Sequence, residues 1–530
     1  EKTMCGIFAY SGQSLGWDDL KPHVDKIQYR GPDASSVKMV GEDVIFAFHR
    51  LAIVGTTAAG DQPLVHPEDK SISVICNGEI YNYKALAKEH GFKLTSGSDC
   101  EIILHMYRRF GIDKTVAALD GVFMFVLHDR EKDELFAGRD PFGVRPGFIG
   151  IKGKEYFIAS EAKPIIDICD KVKPFKPGHW WKESSGKFTR YHFHKNENLM
   201  AKPEGELLNE IKTKLIQAVK KRMMAEREIG SLLSGGLDSS LISALVNKYH
   251  DGKLKTFSIG MPGSVDLEYA QIVADHLGTD HHQIQISEQE FLDAIETVIY
   301  NIESYDTTTV RASVGNYLVS KYIRANSDCK VIFNGDGSDE ACGGYVYMKH
   351  APSNTAFQNE CKRLIEEIHR FDVLRSDRSI SSNGLEARTP FLDKEFVRYY
   401  LSIPAEQKIF DGRDRMEKHL LRKAFSKMDL LPDSVLWRRK CAFSDGVSAK
   451  KNSWHKVLQG FVDEQITDFE FETKASQYVH CTPILKESYY YRKVFESFFE
   501  KHEKLIPHFW MPKWVETSDP SAREINGYVE

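Results

Sequence analysis

The chain has 530 residues, more than one hydrophobic core usually serves, and its 42% hydrophobic and 28% charged content suits a globular protein of two domains or more. A net charge of −5 without a basic block argues against nucleic acid as the main partner, and no apolar run is long enough to span a bilayer. No charged-then-apolar leader opens the sequence, and nine dispersed cysteines, an odd number without paired spacing, read as reduced thiols of a cytoplasmic protein.

The first stretch, "MCGIFAYSG" (4–12), places Cys5 beside a strand-like run and close to the start of the chain. The other eight cysteines read as small buried hydrophobes. Cys5 reads differently. A cysteine attacks as a thiolate and needs a base, and a free α-amino group can be that base when it belongs to the same residue. Short β-prone runs follow to about residue 195: "DVIFAFHRLAIV", "ISVICNGEIYNY", "VFMFVLHD", "ELFAGRD", "YFIASE" and "GKFTRYHF", broken by Gly, Pro and Asp. Between them "DCEIILHMYRRFG" has helical spacing, with Ser98 or Asp99 as its cap. The mixture implies layered sheets covered by helices.

A polar, proline-bearing connector, "HKNENLMAKPEGE" (194–206), separates this part from a repeating strand, glycine loop and helix. "EIGSLLSGGLDSSLISALVNKY" is the first such unit, "LKTFSIGMPGSVDLEYAQIVADHLG" the second, and "CKVIFNGDGSDEACGGY" supplies a third strand and loop. Alternation of this kind builds a parallel sheet with helices on both faces, and ligands then bind beyond the carboxyl ends of the strands. The last hundred residues look mainly helical.

In "LLSGGLDSS" (232–240) the loop opens an amphipathic helix with Leu237, Leu241, Leu245 and Tyr249 on one face. Backbone amides at such a helix start favour an anion. Gly235 and Gly236 let a phosphate approach, and the hydroxyls of Ser234, Ser239 and Ser240 add donors. The lysine of the Walker loop is absent, which sets aside the usual kinase or GTPase cradle. The string resembles the pyrophosphate loop of ATP pyrophosphatases, and that resemblance implies Mg²⁺ to neutralise the departing group, hence a carboxylate in or beside the loop. Asp238 is one candidate, and the acidic turn "NGDGSDE" (334–340) offers Asp336, Asp339 and Glu340. His276, His281 and His282 make a weak zinc candidate, since no cysteine pair frames them.

The ATP pyrophosphatases that the loop resembles adenylate a carboxylate and release pyrophosphate. "RGPD" (30–33), "HRLAIV" (49–54), "NGEIYNY" (77–83), "GSDCE" (97–101) and "GRDPFGVRP" (138–146) together resemble the class II glutamine amidotransferase domain, whose N-terminal cysteine hydrolyses the glutamine amide. The two in this order, with "SIGMPGSVDLEYA", "HLGTDHH", "YDTTTVRAS", "GSDEACGGY", "EARTPFLD", "FSDGV" and "DPSAR", resemble the glutamine-hydrolysing asparagine synthetase family over nearly the whole chain. That resemblance implies an α+β four-layer αββα sandwich of the N-terminal nucleophile hydrolase type over 5–195, then an α/β parallel-sheet, Rossmann-like ATP pyrophosphatase domain over 206–530. Aspartate and ATP would give β-aspartyl-AMP, and ammonia freed at Cys5 would travel inside the protein to attack it.

By the same resemblance Cys5 is the nucleophile, and the Asn77 amide and Gly78 N–H form the oxyanion hole. Arg50 clamps the glutamine carboxylate alongside Leu51, Ala52, Ile53 and Val54, while Glu79 and Asp99 hold its amino group. Leu232 and Ile259 lie at the nucleotide base with Asn334 and Gly335 nearby. Residues 234–240 hold pyrophosphate, and Asp238 with Asp339 hold Mg²⁺. Arg311, Asp372, Arg375 and Lys440 face the aspartyl-adenylate or the pyrophosphate. The chain departs from the family in two places. The family pattern "SGEGSDE" is "NGDGSDE" here, so Asp336 stands one methylene short of a glutamate tied to adenylate formation. Met4 also has three residues ahead of it, and the expectation is that residues 1–4 are removed so that Cys5 becomes the N-terminus. The expected partners are small molecules (glutamine, aspartate and ATP), with no nucleic acid and no membrane; a homodimer stays open. A β-lactam synthetase-like enzyme and a non-catalytic glutamine or nucleotide sensor stay open as rivals.

Overall fold

The computed structural model describes residues 5–31, 33–193, 201–412, 414–440 and 454–520. Residues 1–4, and with them the expected processing ahead of Cys5, lie outside the described residues. The chain divides into two compact units. The first runs to Phe193 and takes in two later segments, Met224–Glu228 and Ile380–Glu386; the second holds the remainder.

The first unit contains two six-stranded sheets. One runs, strand beside strand, Lys171–Pro174, Phe148–Lys152, Glu155–Ala159, Gly6–Ser11, Val44–Arg50 and Ala34–Met39. The other runs Lys187–Arg190, His179–Lys182, Glu134–Arg139, Gly121–Asp129, Ile72–Ile80 and Leu64–Val65. Neighbouring strands are antiparallel, with Phe8 opposite both Ala47 and Ala159, and Asn77 opposite Met124. Side chains alternate between faces along each strand. Ile75, Met124, Val126 and Ala137 of the second sheet therefore share one core with Ile7, Phe46, Phe48 and Ile158 of the first. Val74, Cys76, Phe123, Phe125 and Leu127 point the other way, into a core with Leu86 of the helix Tyr83–His90 and with Ile102, Ile103, Met106 and Val116 of the helix Glu101–Ala118.

The start of that second helix differs from the sequence expectation. Neither Ser98 nor Asp99 is the N-cap; Cys100 is, without a side-chain cap bond. The Asp99 carboxylate turns instead to the strand Ile72–Ile80 and accepts from the Ile80 N–H at 2.6 Å. Glu101 takes over the anchoring of the preceding turn, accepting from the amides and hydroxyls of both Thr95 and Ser96.

The second unit is built on a five-stranded sheet in the order Asp280–Gln285, Lys255–Gly260, Ile229–Leu232, Val331–Phe333 and Glu386–Arg388. The first four pair in parallel. The chain proceeds outward from Ile229–Leu232 through two strands, then returns to its other side with Val331–Phe333. The order of strands thus reverses between Ile229–Leu232 and Val331–Phe333, the place where open parallel sheets bind ligands. Leu237, Leu241 and Leu245 of the helix Leu237–Tyr249 are buried; Tyr249 is half-buried, with the Lys220 ammonium over its ring at 4.1 Å. Among the described residues no helix is long and apolar enough to cross a membrane.

Candidate active sites

In the first unit Cys5 leads directly into the strand Gly6–Ser11, and its Sγ accepts from the Leu51 N–H at 3.3 Å. Burial pushes the thiol up to about 12; the Leu51 N–H and Arg50 pull it down, while Glu386 and Glu79 add to the rise. In this state the group is a thiol and needs a base. Its backbone is fixed by Arg30, which donates to the Cys5 carbonyl at 3.2 Å, to Glu161 at 2.6 Å and to Ser381 at 2.8 Å, with no exposure of its own.

Asn77 is 1% exposed, and its Nδ2 has no hydrogen-bond partner among the described residues. A buried amide donor left unmade is costly unless something arrives to accept from it. Gly78 has φ 152°, and a Cβ there would lie 2.1 Å from the Val122 carbonyl, so only glycine fits against the neighbouring strand. Glu79 and Asp99 are buried beside these residues. Arg50 is buried as well, with one Nη donating to the Thr57 carbonyl at 2.8 Å and to Asp61 at 2.5 Å, the other to the Gly55 carbonyl. Its fork is thus largely engaged by the loop it anchors. Ala52 donates to Asp33 at 2.9 Å, and the carbonyls of Ala52 and Ile53 accept from Arg227 and from the Glu226 N–H. Leu51, Ala52 and Ile53 are buried; Val54 is half-buried.

In the second unit the loops after Ile229–Leu232 and Val331–Phe333 meet at the switch in strand order. A Cβ on Gly335 would sit 2.7 Å from the backbone of Asp238 and Ser239, so the loops are in contact through a glycine. Gly235 adopts φ 74° with Tyr269 beneath it, where a Cβ would lie 2.5 Å from the tyrosine Cβ. Ser234 and Ser239 share a hydrogen bond at 2.8 Å. These loops border a cavity of about 280 Å³, also lined by Arg311, Tyr345, Asp372, Arg375, Lys418 and Lys440. Leu232, Gly236, Asp238, Asn334, Asp336 and Asp339 line it too, whereas Gly235, Ser240 and Ile259 lie outside its lining. Ser240 is fully buried and its hydroxyl has no partner among the described residues.

The cavity is dense in paired charge. Asp336 accepts from Arg375 at 2.7 Å; burial raises its carboxyl, Arg375 opposes that, and Asp372 and Asp238 reinforce it. Burial, followed by the nearby Asp372 and Asp339 charges, raises Glu340 well above the ordinary range; it accepts from the Tyr345 hydroxyl at 2.5 Å. Asp339 is held low against its burial by Lys418 and Lys440. Lys440 also lies over the Tyr345 ring at 4.6 Å. Arg311 lines the cavity, but its fork is bidentate on Glu487, at 2.7 and 2.6 Å, and reaches Asp519 at 2.8 Å. Asp238 and Asp339 present hard oxygen donors of the type Mg²⁺ takes. Among the described residues no set of three or more metal-ligating side chains forms, so further ligands would come from phosphates and water. His281, one of the zinc candidates, is within hydrogen-bonding distance of Thr256 and Ser258 through its two ring nitrogens.

Sequence reasoning missed Arg30, Glu161, Glu226, Arg227, Glu386, Lys418 and Arg438. "RGPD" pointed toward the first, and the cluster "LWRRK" toward the last. Arg438 donates to the Gly235 carbonyl at 2.9 Å and stacks over Tyr269 at 4.0 Å, which braces the glycine loop from behind.

Glutamine amidotransferase and asparagine synthase are the two classes that these sites define, and both family models match. The glutamine amidotransferase domain matches residues 4–193, and asparagine synthase matches residues 210–361 and 349–519. Relatives described as asparagine synthetase [glutamine-hydrolyzing] are 43% identical in Gallus gallus and 42% in Rattus norvegicus and Homo sapiens, each over 99% of both chains. The chain belongs to the glutamine-hydrolysing asparagine synthetase family.

Proposed function

We propose that the chain converts aspartate and glutamine to asparagine and glutamate, spending ATP to AMP and pyrophosphate through a β-aspartyl-AMP intermediate. What carries this reading is the glycine loop 234–239 set against Asp336 and Asp339 at the switch in strand order, on a chain that also holds the Cys5 pocket.

In the first unit the Cys5 thiolate attacks the glutamine amide. The tetrahedral intermediate expels ammonia with the proton taken from the thiol, and water then cleaves the γ-glutamyl thioester to glutamate and free Cys5. The oxyanion is received by the Asn77 amide and the Gly78 N–H, a step supported by the unspent Nδ2 donor. Glu79 and Asp99 hold the substrate amino group; Arg50 holds its carboxylate, with Leu51, Ala52, Ile53 and Val54 as the wall. The proton leaves Cys5 for its own α-amino group once residues 1–4 are gone. In the second unit the aspartate carboxylate attacks the α-phosphate of ATP. Leu232, Asn334 and Gly335 seat the nucleotide and Ser234, Gly236 and Ser239 receive the pyrophosphate, with Gly235, Ser240 and Ile259, outside the cavity lining, supporting them from behind. Mg²⁺ held by Asp238 and Asp339 would neutralise the leaving group. Arg375, oriented by Asp336 and Asp372, and Lys440, paired with Asp339, add positive charge, and Arg311 and Asp372 face the aspartyl-adenylate or the pyrophosphate from the cavity wall. Ammonia then displaces AMP without passing through solvent.

The fold proposed for the first unit is the four-layer αββα sandwich, supported by one core shared between its sheets and a second beneath its helices. A Rossmann-like fold for the second is supported by its parallel strands. Aspartate-dependent exchange of labelled pyrophosphate into ATP, measured beside asparagine formation from glutamine and from ammonia, tests the function. Absence of exchange with both nitrogen donors inactive would overturn it.

A further inference from the structure

The charge geometry around Asp238 and Asp339 carries a step beyond this reading, on which it rests for the place of the metal. Lys418 reaches the two carboxylates from a left-handed backbone turn, φ 56°, just ahead of the helix His419–Phe425. Its side chain is 3% exposed, and its ammonium lies 2.6 Å from Asp238 Oδ2 and 2.6 Å from Asp339 Oδ1. The stem passes where a side chain at residue 344 would be: a Cβ on Gly344 would lie 2.0 Å from Lys418 Cε and 2.5 Å from Asp339 Oδ1. Lys440 meets Asp339 through its other oxygen, Oδ2.

The buried ammonium is not tolerable alone, because it would be an uncompensated charge out of water. The two partly exposed carboxylates supply its counter-charge, so that in the absence of nucleotide the place between Asp238 and Asp339 is already held by a cation. Mg²⁺ gives up its water reluctantly and completes its shell from substrate phosphates. Arriving alone, it must evict an ammonium already paired on both sides. Arriving with a polyphosphate, it brings the ammonium a new anionic partner inside the same cavity, which Lys418 itself lines.

We infer that Lys418 is the resident cation of this site: it bridges Asp238 and Asp339, denies them to free divalent metal, and moves onto a phosphate oxygen when metal and nucleotide enter together. The test is Mn²⁺ titration of the full chain, read by electron paramagnetic resonance, with and without a non-hydrolysable ATP analogue. The wild-type protein is expected to bind Mn²⁺ at least tenfold more tightly with the analogue than without it. Lys418→Met is expected to bind Mn²⁺ alone at least tenfold more tightly than wild type, and adding Asp339→Asn to that variant is expected to abolish the gain. Gly344→Ala, which pushes the lysine stem aside, is expected to shift affinity in the same direction by a smaller factor. Equal Mn²⁺ affinity of wild type and Lys418→Met without nucleotide, while the analogue still promotes binding, would overturn the role of Lys418 and leave the metal assignment standing. Failure of the wild type to gain Mn²⁺ beyond what the analogue binds by itself would remove the metal assignment and this inference together. If Lys418→Met does not fold, as judged by circular dichroism, Lys418→Gln, which keeps a polar stem and removes the charge, decides, and its matching wild type overturns the inference.

Discussion

The two pockets handle charge in opposite ways. Around Cys5 the second sheet leaves a buried amide donor unmatched and burial pushes the thiol up, with the Cys5 carbonyl fixed by Arg30 and its sulfur by the Leu51 N–H. Around the glycine loop nearly every charge has a partner: Asp336 with Arg375, Asp238 with Lys418, and Asp339 with Lys418 and Lys440. The difference follows from what each pocket must receive. At its reacting centre an amide hydrolysis site meets a neutral amide and stabilises charge only as it develops, so the donor aimed there waits unspent. A site for a metal–polyphosphate meets full charges at once, so its own charges are kept compensated until they can be exchanged.

Removing the nucleophile should break this comparison on one side only. Cys5→Ala is expected to lower glutamine-dependent asparagine formation by 10³-fold or more, with ammonia-dependent formation unchanged. A chain that retains residues 1–4 should behave the same way, because a peptide nitrogen is no base; intact mass beside a glutaminase assay checks it. Full glutamine turnover by a chain beginning at Glu1 would contradict the proton route proposed for Cys5. Next in size, Asn77→Ala should cut kcat for glutamine hydrolysis by about 10²–10³-fold with little change in KM, the pattern for a donor used only in the transition state.

Much of this contrast was legible in the sequence, for physical reasons that can be traced. The strand, glycine loop and helix alternation and the period of the buried leucines in 237–249 depend on local spacing, which a sequence displays directly. The motif strings located Cys5, Asn77, Asp238 and Asp339 because close backbone approach leaves a glycine signature beside them. Distant pairings left no such mark. That residues 224–228 and 380–386 join the first unit depends on Glu226 capping the amides of Gly55 and Thr56, and on Arg30 reaching Ser381, contacts more than a hundred residues apart. Lys418 escaped notice for the same reason: "MEKHL" looks like an ordinary helix start, and only the fold shows Gly344 opening its way to two aspartates. The cap of the helix Glu101–Ala118 was misjudged because Asp99 was drawn off by a strand remote in sequence.

The acidic turn offers a sharper probe of the second pocket. Asp336 stands one methylene short of the glutamate that the resemblance leads one to expect there, and it pairs with Arg375 at 2.7 Å. Asp336→Asn leaves Arg375 facing only Asp372, at 3.6 Å, and should slow aspartate-dependent pyrophosphate release by about 10–100-fold, the loss of one charge-assisted contact. Asp336→Glu restores reach with the same charge and should release pyrophosphate several-fold faster than wild type. Slower release by Asp336→Glu would mean that the shorter side chain is fitted to this cavity.

The smallest effect expected on catalysis concerns Glu101, which is 2% exposed. Burial alone would raise its carboxyl, but hydrogen bonds from His105, Ser96 and Thr95 outweigh that and hold it down at about 2. The turn it anchors carries Asp99, so Glu101→Gln should raise KM for glutamine a few-fold and leave kcat nearly unchanged. Its larger consequence is for stability. A carboxyl whose value is depressed on folding contributes fully above its unfolded value, near 4.5, and loses that contribution as pH falls toward about 2. The Tm difference between wild type and Glu101→Gln should therefore be constant above about pH 5 and shrink steadily in acid. A difference that grows on acidification would show that the 95–96 hydrogen bonds favour the protonated acid, and that Asp99 owes its position to something other than this anchor.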